Sequence, residues 1–323
     1  MKILFYGFRH DHIIGLYKKA IANPDVKVVA CIEEHEPTRI AWGETYGITF
    51  DTTTSYDEWL TKDIDIVAFG GAYGDRGEGA IKALKAGKHL ILDKPICIKK
   101  SELKQIVKLS RANNLKVYCM FDLRYMPVAR LAKKIIRSGE LGEVRNVSYI
   151  GQHCLNYGKR PSWYFEKGKH GGTLNDLAIH GIDLIRDLTG LEFSKIHASR
   201  VWNSYAILEP DFKDSANFMA ELNNGAGVIA DVSYSAPMQY YKTDNYWNFK
   251  FWCQKGMLTF NFNSKELTIY DMDAQEPRVI PAVDEGAYYL DDLISDIKSD
   301  SREFTESVFV SSEVALDIQA KAK

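Results

Sequence analysis

The sequence predicts an α/β protein in two parts, a parallel sheet covered on both faces followed by a more strand-rich α/β region. Three observations carry this. At 323 residues the chain exceeds one typical compact domain. Its first 120 residues alternate short, continuous apolar runs with helical patterns, as strands buried on both faces do. From Ile196 to Tyr270 most segments read as strands.

Ile3–Tyr6 is the first apolar run, and Ile13–Ala22 follows as a helix. Val26–Ile32 is a continuous run rich in β-branched residues, and Thr38–Tyr46 is helical. Ile64–Phe69 and His89–Leu92 are further buried strands around a helix over Glu78–Ala86. Ser101–Asn113 is the next helix, and Leu115–Tyr118 the last strand of this part. The pattern then changes, which places the domain boundary near residue 120 and gives domains 1–120 and 121–323. Met126–Arg137 is a helix ending at Ser138-Gly139, and Val144–His153 alternates like a half-solvated strand. Leu174–Leu188 is an amphipathic helix ending at Thr189-Gly190. Ala216–Leu222 and Gly227–Ser235 flank Asn223-Asn224-Gly225, a hairpin signal. Phe249–Cys253 and Leu267–Tyr270 are later strands, and helices over Tyr289–Ser299 and Ser307–Ala322 close the chain. The final helix is free to pack back on the first domain.

A hydrophobic content of 46% is ample for two cores. Lys and Arg number 41 against 43 Asp and Glu, which argues against a nucleic-acid partner. No apolar run approaches the roughly 20 residues that span a bilayer. The apolar stretch near the N-terminus is cut by Arg9 and His10, too early for a signal-peptide core. A cytoplasmic location is the default that follows. Cys31, Cys97, Cys119, Cys154 and Cys253 are widely spaced and odd in number, so buried free thiols are expected rather than disulfides or zinc.

A strand–turn–helix with glycine at the turn is where a dinucleotide pyrophosphate meets helix N-terminal N–H groups. Here the turn reads Gly7-Phe8-Arg9-His10-Asp11-His12, with Arg9 and His12 in place of the second and third glycines of G-x-G-x-x-G. Arg9 either contacts the pyrophosphate by charge or blocks its approach. Glu33 ends the second strand, 26 residues after Gly7, where a carboxylate can accept from ribose hydroxyls. Glu34 beside it would repel a 2′-phosphate, favouring NAD over NADP, with Arg39 as a possible countercharge. Gly70 and Gly71 end the Asp65–Phe69 strand and serve either close ligand approach or a tight turn.

Asp93-Lys94-Pro95 lies just beyond His89–Leu92, at the same sheet edge. A lysine there can stabilise an alcohol oxygen as it becomes alkoxide-like during hydride removal. In Gly171-Gly172-Thr173-Leu174-Asn175-Asp176-Leu177-Ala178-Ile179-His180, Asp176 and His180 stand at i and i+4 of the expected helix, with Asp183 near that face. His180 can take a hydroxyl proton while Asp176 orients it or holds substrate hydroxyls. No third ligand stands out beside this pair, so no metal is expected. Arg124, Tyr157, Arg160, Trp163 and Tyr164 suit the rim of a polyhydroxylated ligand, with core or interface packing the competing use for Trp163 and Tyr164.

Together these motifs resemble the glucose-fructose oxidoreductase / inositol dehydrogenase (Gfo/Idh/MocA) family. The resemblance runs through Gly7, Ala83–His89, Asp93-Lys94-Pro95, Arg124–Pro127, Ser138–Val144 and Gly171–Asp183. It implies a Rossmann domain, then an α+β domain with a large, mostly antiparallel sheet through which members form dimers or tetramers. It implies NAD(P), a sugar, inositol or related polyol as substrate, a lysine at Lys94 beside the nicotinamide, and substrate-binding acid/base roles for Asp176 and His180. Two departures stand out. Asp93 replaces the usual glutamate, and Gly71-Ala72-Tyr73-Gly74-Asp75-Arg76 replaces Thr-Pro-Asn-x-x-His. Oxidation of a secondary hydroxyl by NAD is the leading expectation. Glycoside cleavage through transient oxidation and elimination, and a non-catalytic nucleotide- or sugar-binding regulator, are the alternatives.

Overall fold

The computed structural model describes all 323 residues, which divide into two compact units. The first comprises Met1–Met120, Pro161–Gly171 and Tyr288–Glu313. Its first 120 residues contain β1 (Lys2–Tyr6), α1 (His12–Ala22), β2 (Lys27–Ile32), α2 (Glu36–Tyr46), α3 (Tyr56–Leu60), β3 (Ile66–Phe69), α4 (Tyr73–Lys85), β4 (His89–Leu92), α5 (Lys100–Ala112) and β5 (Val117–Cys119). The strands pair in parallel in the order β2-β1-β3-β4-β5. Ile3, Leu4, Phe5, Ile66, Val67, Leu90, Ile91 and Leu92 have no exposed surface, because helices cover both faces and leave no position for a polar side chain.

Two features of this unit differ from the expectation. The single-turn helix α3 was passed over, being too short to show a period, although Ser55 and Glu58 form a complete capping box. Helix α4 starts five residues earlier than expected, because Gly74, Gly77 and Gly79 blur its pattern. Gly79 is required by packing: a Cβ there would lie 2.1 Å from the Phe69 ring.

The second unit comprises Phe121–Arg160, Gly172–Ala287 and Val314–Lys323. It contains α6 (Pro127–Ser138), β6 (Val144–Gln152), α7 (Ile179–Thr189), β7 (Phe193–Trp202), β8 (Ser215–Leu222), β9 (Gly227–Ser233), β10 (Asn248–Cys253), β11 (Gly256–Phe260), β12 (Glu266–Asp271) and β13 (Arg278–Pro281). Helix α8 (Tyr289–Ser299) belongs to the first unit, as does the first part of α9 (Glu303–Lys321), which ends in the second. The eight strands form one sheet in the order β13-β12-β11-β10-β6-β9-β8-β7, antiparallel except for β6 beside β9. The edge strand β13 was not anticipated, since it is short and largely exposed.

Helices α6 and α7 pack on this sheet. Strands β8, β9 and β10 alternate along most of their length, burying Phe218, Ala220, Val228, Ala230, Phe249 and Phe251. The opposite face exposes Met219, Ile229 and Trp252 at 46%, 60% and 45%, interleaved with Asn217, Asp231 and Lys250.

Candidate functional site

The turn after β1 is built from close glycine contacts. Gly7 has φ of 75°, and a Cβ on it would lie 2.7 Å from the Gly71 nitrogen. At Gly70 a Cβ would meet Ile13 at 2.5 Å and the Gly7 carbonyl oxygen at 2.8 Å. The turns after β1 and β3 therefore touch, and the room these glycines leave is used by the protein itself. The Phe8 ring is fully buried. Its N–H donates to the Glu33 carboxylate, and its carbonyl accepts the Trp42 indole N–H at 2.8 Å.

Glu33 is only 4% exposed, and its other carboxylate oxygen accepts the His35 N–H at 2.8 Å. Burial pushes its carboxyl above the usual range, against the Phe8 and His35 N–H groups and the charge of Arg9. Arg39 donates to the carbonyls of Glu33 and Glu34, each at 2.9 Å. Glu34 accepts the Tyr6 hydroxyl at 2.8 Å. His12 is the first residue of α1, and Arg9 is half-buried in the turn before it. The partners Trp42 and His35 had no spacing signal in the sequence.

Beyond β4, Asp93 is fully buried and meets four donors. One oxygen accepts the Lys94 N–H at 2.8 Å and faces His12 Nδ1 at 3.2 Å. The other accepts Arg76 Nη2 at 3.0 Å and pairs with His10 Nδ1. Arg76 has no exposed surface and also donates to the carbonyls of Gly71 at 2.9 Å, Lys94 at 2.5 Å and Pro95 at 3.2 Å. It thereby ties the turn after β3 to the turn after β4. Burial acts to raise the Asp93 carboxyl, but His10, Arg76 and His12 outweigh it and hold it well below the usual range. Burial lowers His10 to about 4, assisted by His12 and Lys94 and opposed by Asp93.

Lys94 is 2% exposed, with its ammonium 5.8 Å from the Tyr73 ring centre and a cis bond to Pro95. His10 and Arg76 were not singled out for the site in the sequence. For Arg76 the departure from Thr-Pro-Asn-x-x-His was the signal. His10, Asp11 and His12 also bring ligand-type atoms within 4.8 Å of one another, the one such grouping in the chain.

In the second unit Leu174–Ala178 forms a π-helical turn that runs into α7. The expected uninterrupted α-helix is therefore replaced by a wider turn at Asp176, a local irregularity common at functional sites. The turn is anchored at its start, where a Cβ on Gly172 (φ 98°) would strike the Gln319 side chain at 2.2 Å. The Gln319 oxygen accepts the Leu174 N–H at 3.0 Å. Asp176 is 1% exposed and accepts the Tyr234 hydroxyl. The His180 ring lies edge-on to Trp247, with centroids 5.2 Å apart. Tyr234 and Trp247 come from distant chain segments, so no sequence interval pointed to them.

Asp183 is held by Arg124, whose Nη2 donates at 2.5 Å and whose Nε donates to the other oxygen. Burial works against the Arg124 charge, but Asp183 and Asp187 prevail and raise its basicity. Arg124, expected at the substrate rim, thus has its charge compensated by Asp183. Arg160 donates to the Cys154 and Leu155 carbonyls and lies 5.5 Å from the Tyr234 ring centre. Tyr157 is half exposed, donating to Glu209 at 2.9 Å. Trp163 and Tyr164 belong instead to the first unit. There Trp163 packs 4.8 Å from Tyr73, and the Tyr164 and Tyr73 hydroxyls are 2.9 Å apart.

The chain belongs to the Gfo/Idh/MocA family of oxidoreductases. Residues 11–121 match the family model described as an oxidoreductase family, NAD-binding Rossmann fold, and 129–259 match the Gfo/Idh/MocA C-terminal domain. More particularly, it is similar to levoglucosan dehydrogenase of Pseudarthrobacter phenanthrenivorans, with 28% identity over 67% of this chain and 61% of that one. It is also similar to inositol 2-dehydrogenase of Rhizobium meliloti, with 24% identity over 70% of this chain and 67% of that one. The chain thus spans less than two thirds of the levoglucosan dehydrogenase's length. Among solved structures, levoglucosan dehydrogenase in complex with NADH and L-sorbose superposes with a TM-score of 0.82, at 21% identity over 99% of this chain and 97% of that chain. That likeness shows the fold. No helix is long and apolar enough to cross a membrane.

Proposed function

We propose that the protein is an NAD(H)-dependent dehydrogenase acting on a secondary hydroxyl of a sugar, inositol or related polyol. The observation that carries this reading is Lys94, buried at the carboxyl end of β4 on the same sheet edge as the Gly7 turn and Glu33. When bound, the nicotinamide accepts or returns a hydride. Gly7, Phe8, Arg9 and His12 frame the pyrophosphate end at the start of α1, with Gly70, Gly71 and Asp93 behind them.

Glu33 spends one lone pair on each of two backbone N–H groups and keeps further acceptor capacity for ribose hydroxyls. Glu33 and Glu34 oppose a 2′-phosphate, and Arg39 is turned to backbone carbonyls, so NAD is preferred to NADP. The Lys94 ammonium stabilises the substrate oxygen as its proton leaves. In the second unit His180 is proposed as an acid/base group, and Asp176, steadied by Tyr234, as a ligand for substrate hydroxyls. Arg160, Tyr157, Arg124 and Trp163 remain proposals for the substrate side. The exposed face of the eight-stranded sheet, with Met219, Ile229 and Trp252 among polar residues, is the proposed contact with a second copy of the chain in a homo-oligomer.

The test is a titration of ligand-stripped protein with NADH and separately NADPH, followed by NAD reduction with levoglucosan, inositols and free sugars. NADH should bind at least about tenfold more tightly, a difference of roughly 1.4 kcal/mol. Tighter NADPH binding overturns the role given to Glu33. Binding of neither nucleotide overturns the dehydrogenase and leaves a regulator.

A further inference from the structure

Among the side chains at the carboxyl edge of the parallel sheet, His10 is the one whose orientation is most completely set and whose purpose the proposed reaction leaves unstated. Its backbone N–H donates to the Gly70 carbonyl at 3.0 Å, at the end of β3. Its Nδ1 pairs with Asp93, beyond the end of β4. The side chain therefore runs from the turn after β1 across β3 to β4, away from β2 and Glu33. In a sheet of this order the adenosine half of a dinucleotide lies over β2, and the nicotinamide half crosses to the β3–β4 side. His10 stands on the second side, paired with Asp93, the residue before Lys94.

Asp93 also decides which ring nitrogen carries the proton. An ionised carboxylate only accepts, so His10 Nδ1 must be the N–H, and in the neutral ring Nε2 is left with its lone pair. The same logic orients ligating and catalytic histidines generally, with a carboxylate behind the ring and an acceptor in front. The ring is wedged edge-on against Tyr73 and His12 and tilted against Tyr164, with centroids at 5.4, 4.3 and 6.4 Å. It is 7% exposed, and Nε2 stands 3.9 Å from the nearer oxygen of the exposed Asp11. The lone pair on Nε2 calls for a hydrogen-bond donor in front of it. A neutral donor suits the position, and the nicotinamide half of the cofactor offers two kinds, the carboxamide NH2 and the ribose hydroxyls.

We propose that His10, fixed by Asp93, is a cofactor-binding residue that accepts a hydrogen bond from the nicotinamide-ribose half of the dinucleotide. The inference rests on the dinucleotide reading of the site and adds a side-chain contact to it. It also gives the altered turn a use: between Arg9 and His12, which replace two glycines of the pattern, a variable position supplies a side-chain contact.

The experiment compares NADH with ADP, which carries the adenosine and pyrophosphate without nicotinamide, on wild type and on His10→Phe and His10→Gln. His10→Phe should weaken NADH at least about tenfold and ADP less than about twofold, and His10→Gln, whose amide oxygen can replace Nε2, should recover most of the loss. Equal NADH affinity in His10→Phe overturns the proposal, as does an equal loss for ADP, which marks a merely structural role. Because a variant can fail to fold, nitrogen-15 NMR of the wild-type histidines provides the second arm. His10 should be the Nδ1–H tautomer, with an Nε2 resonance that shifts on adding NADH and not on adding ADP. The opposite tautomer, or no shift with bound NADH, overturns it. Failure of the wild type to bind either nucleotide sinks the proposed function itself, a result distinguishable from all of these.

Discussion

The two sheets meet solvent in opposite ways, and their candidate residues are arranged accordingly. The five-stranded sheet is covered on both faces, so only its carboxyl edge is open to a ligand. Glu33, the Gly7 turn and Lys94 all lie there, each within two residues of a strand end. The eight-stranded sheet is covered on one face alone. Its candidate residues Asp176 and His180 lie on the helical segment ending in α7, and their partners Tyr234 and Trp247 lie just beyond β9 and just before β10. A parallel sheet concentrates chemistry at an edge. A half-covered sheet leaves one face packed under helices and the other exposed.

The largest expected effect tests the edge. Lys94→Ala should lower turnover of the correct polyol by about 10² or more, the usual scale for losing one acid/base or electrostatic group, with NADH affinity within about threefold. Equal turnover removes Lys94 from the reaction. Next comes the support beneath that edge. Arg76→Met leaves the fully buried Asp93 short of the guanidinium countercharge and three carbonyls short of a donor. Breaking such a pair typically costs about 3–5 kcal/mol, which denaturant unfolding would read. A change under about 1 kcal/mol would mean that His10 and His12 suffice. The smallest effect belongs to the exposed face. Trp252→Glu should shift the protein toward monomer in sedimentation, with unfolding free energy changed by less than about 1 kcal/mol. An unchanged oligomer moves the interface elsewhere.

The same contrast explains what could be read from the residues alone. Continuous runs such as Leu90–Leu92, and glycine turns at their ends, marked the parallel sheet and its edge, because position along the strand and position in the site coincide there. The Asn223–Gly225 turn between the two strand-like runs that became β8 and β9 was equally legible. The Asp176–His180 pair was found on the assumption of a regular helix, and the π-helical turn is set by anchoring such as Gln319, 145 residues from Leu174. Tyr234 and Trp247 were missed for the same reason: contacts between distant segments have no local period. Arg124 shows the converse, a charged residue suited to a ligand whose partners proved to be Asp183 and Asp187 of its own chain.

The four-donor shell around Asp93 also constrains how this sequence can diverge. Lengthening residue 93 to glutamate would add a methylene to a carboxylate already enclosed by His10, His12, Arg76 and the Lys94 amide. Shortening Arg76 would release three carbonyls at once. Neither step is tolerable alone, so positions 10, 76 and 93 should be inherited as a block, and descendants of this chain should carry His, Arg and Asp together or none of them.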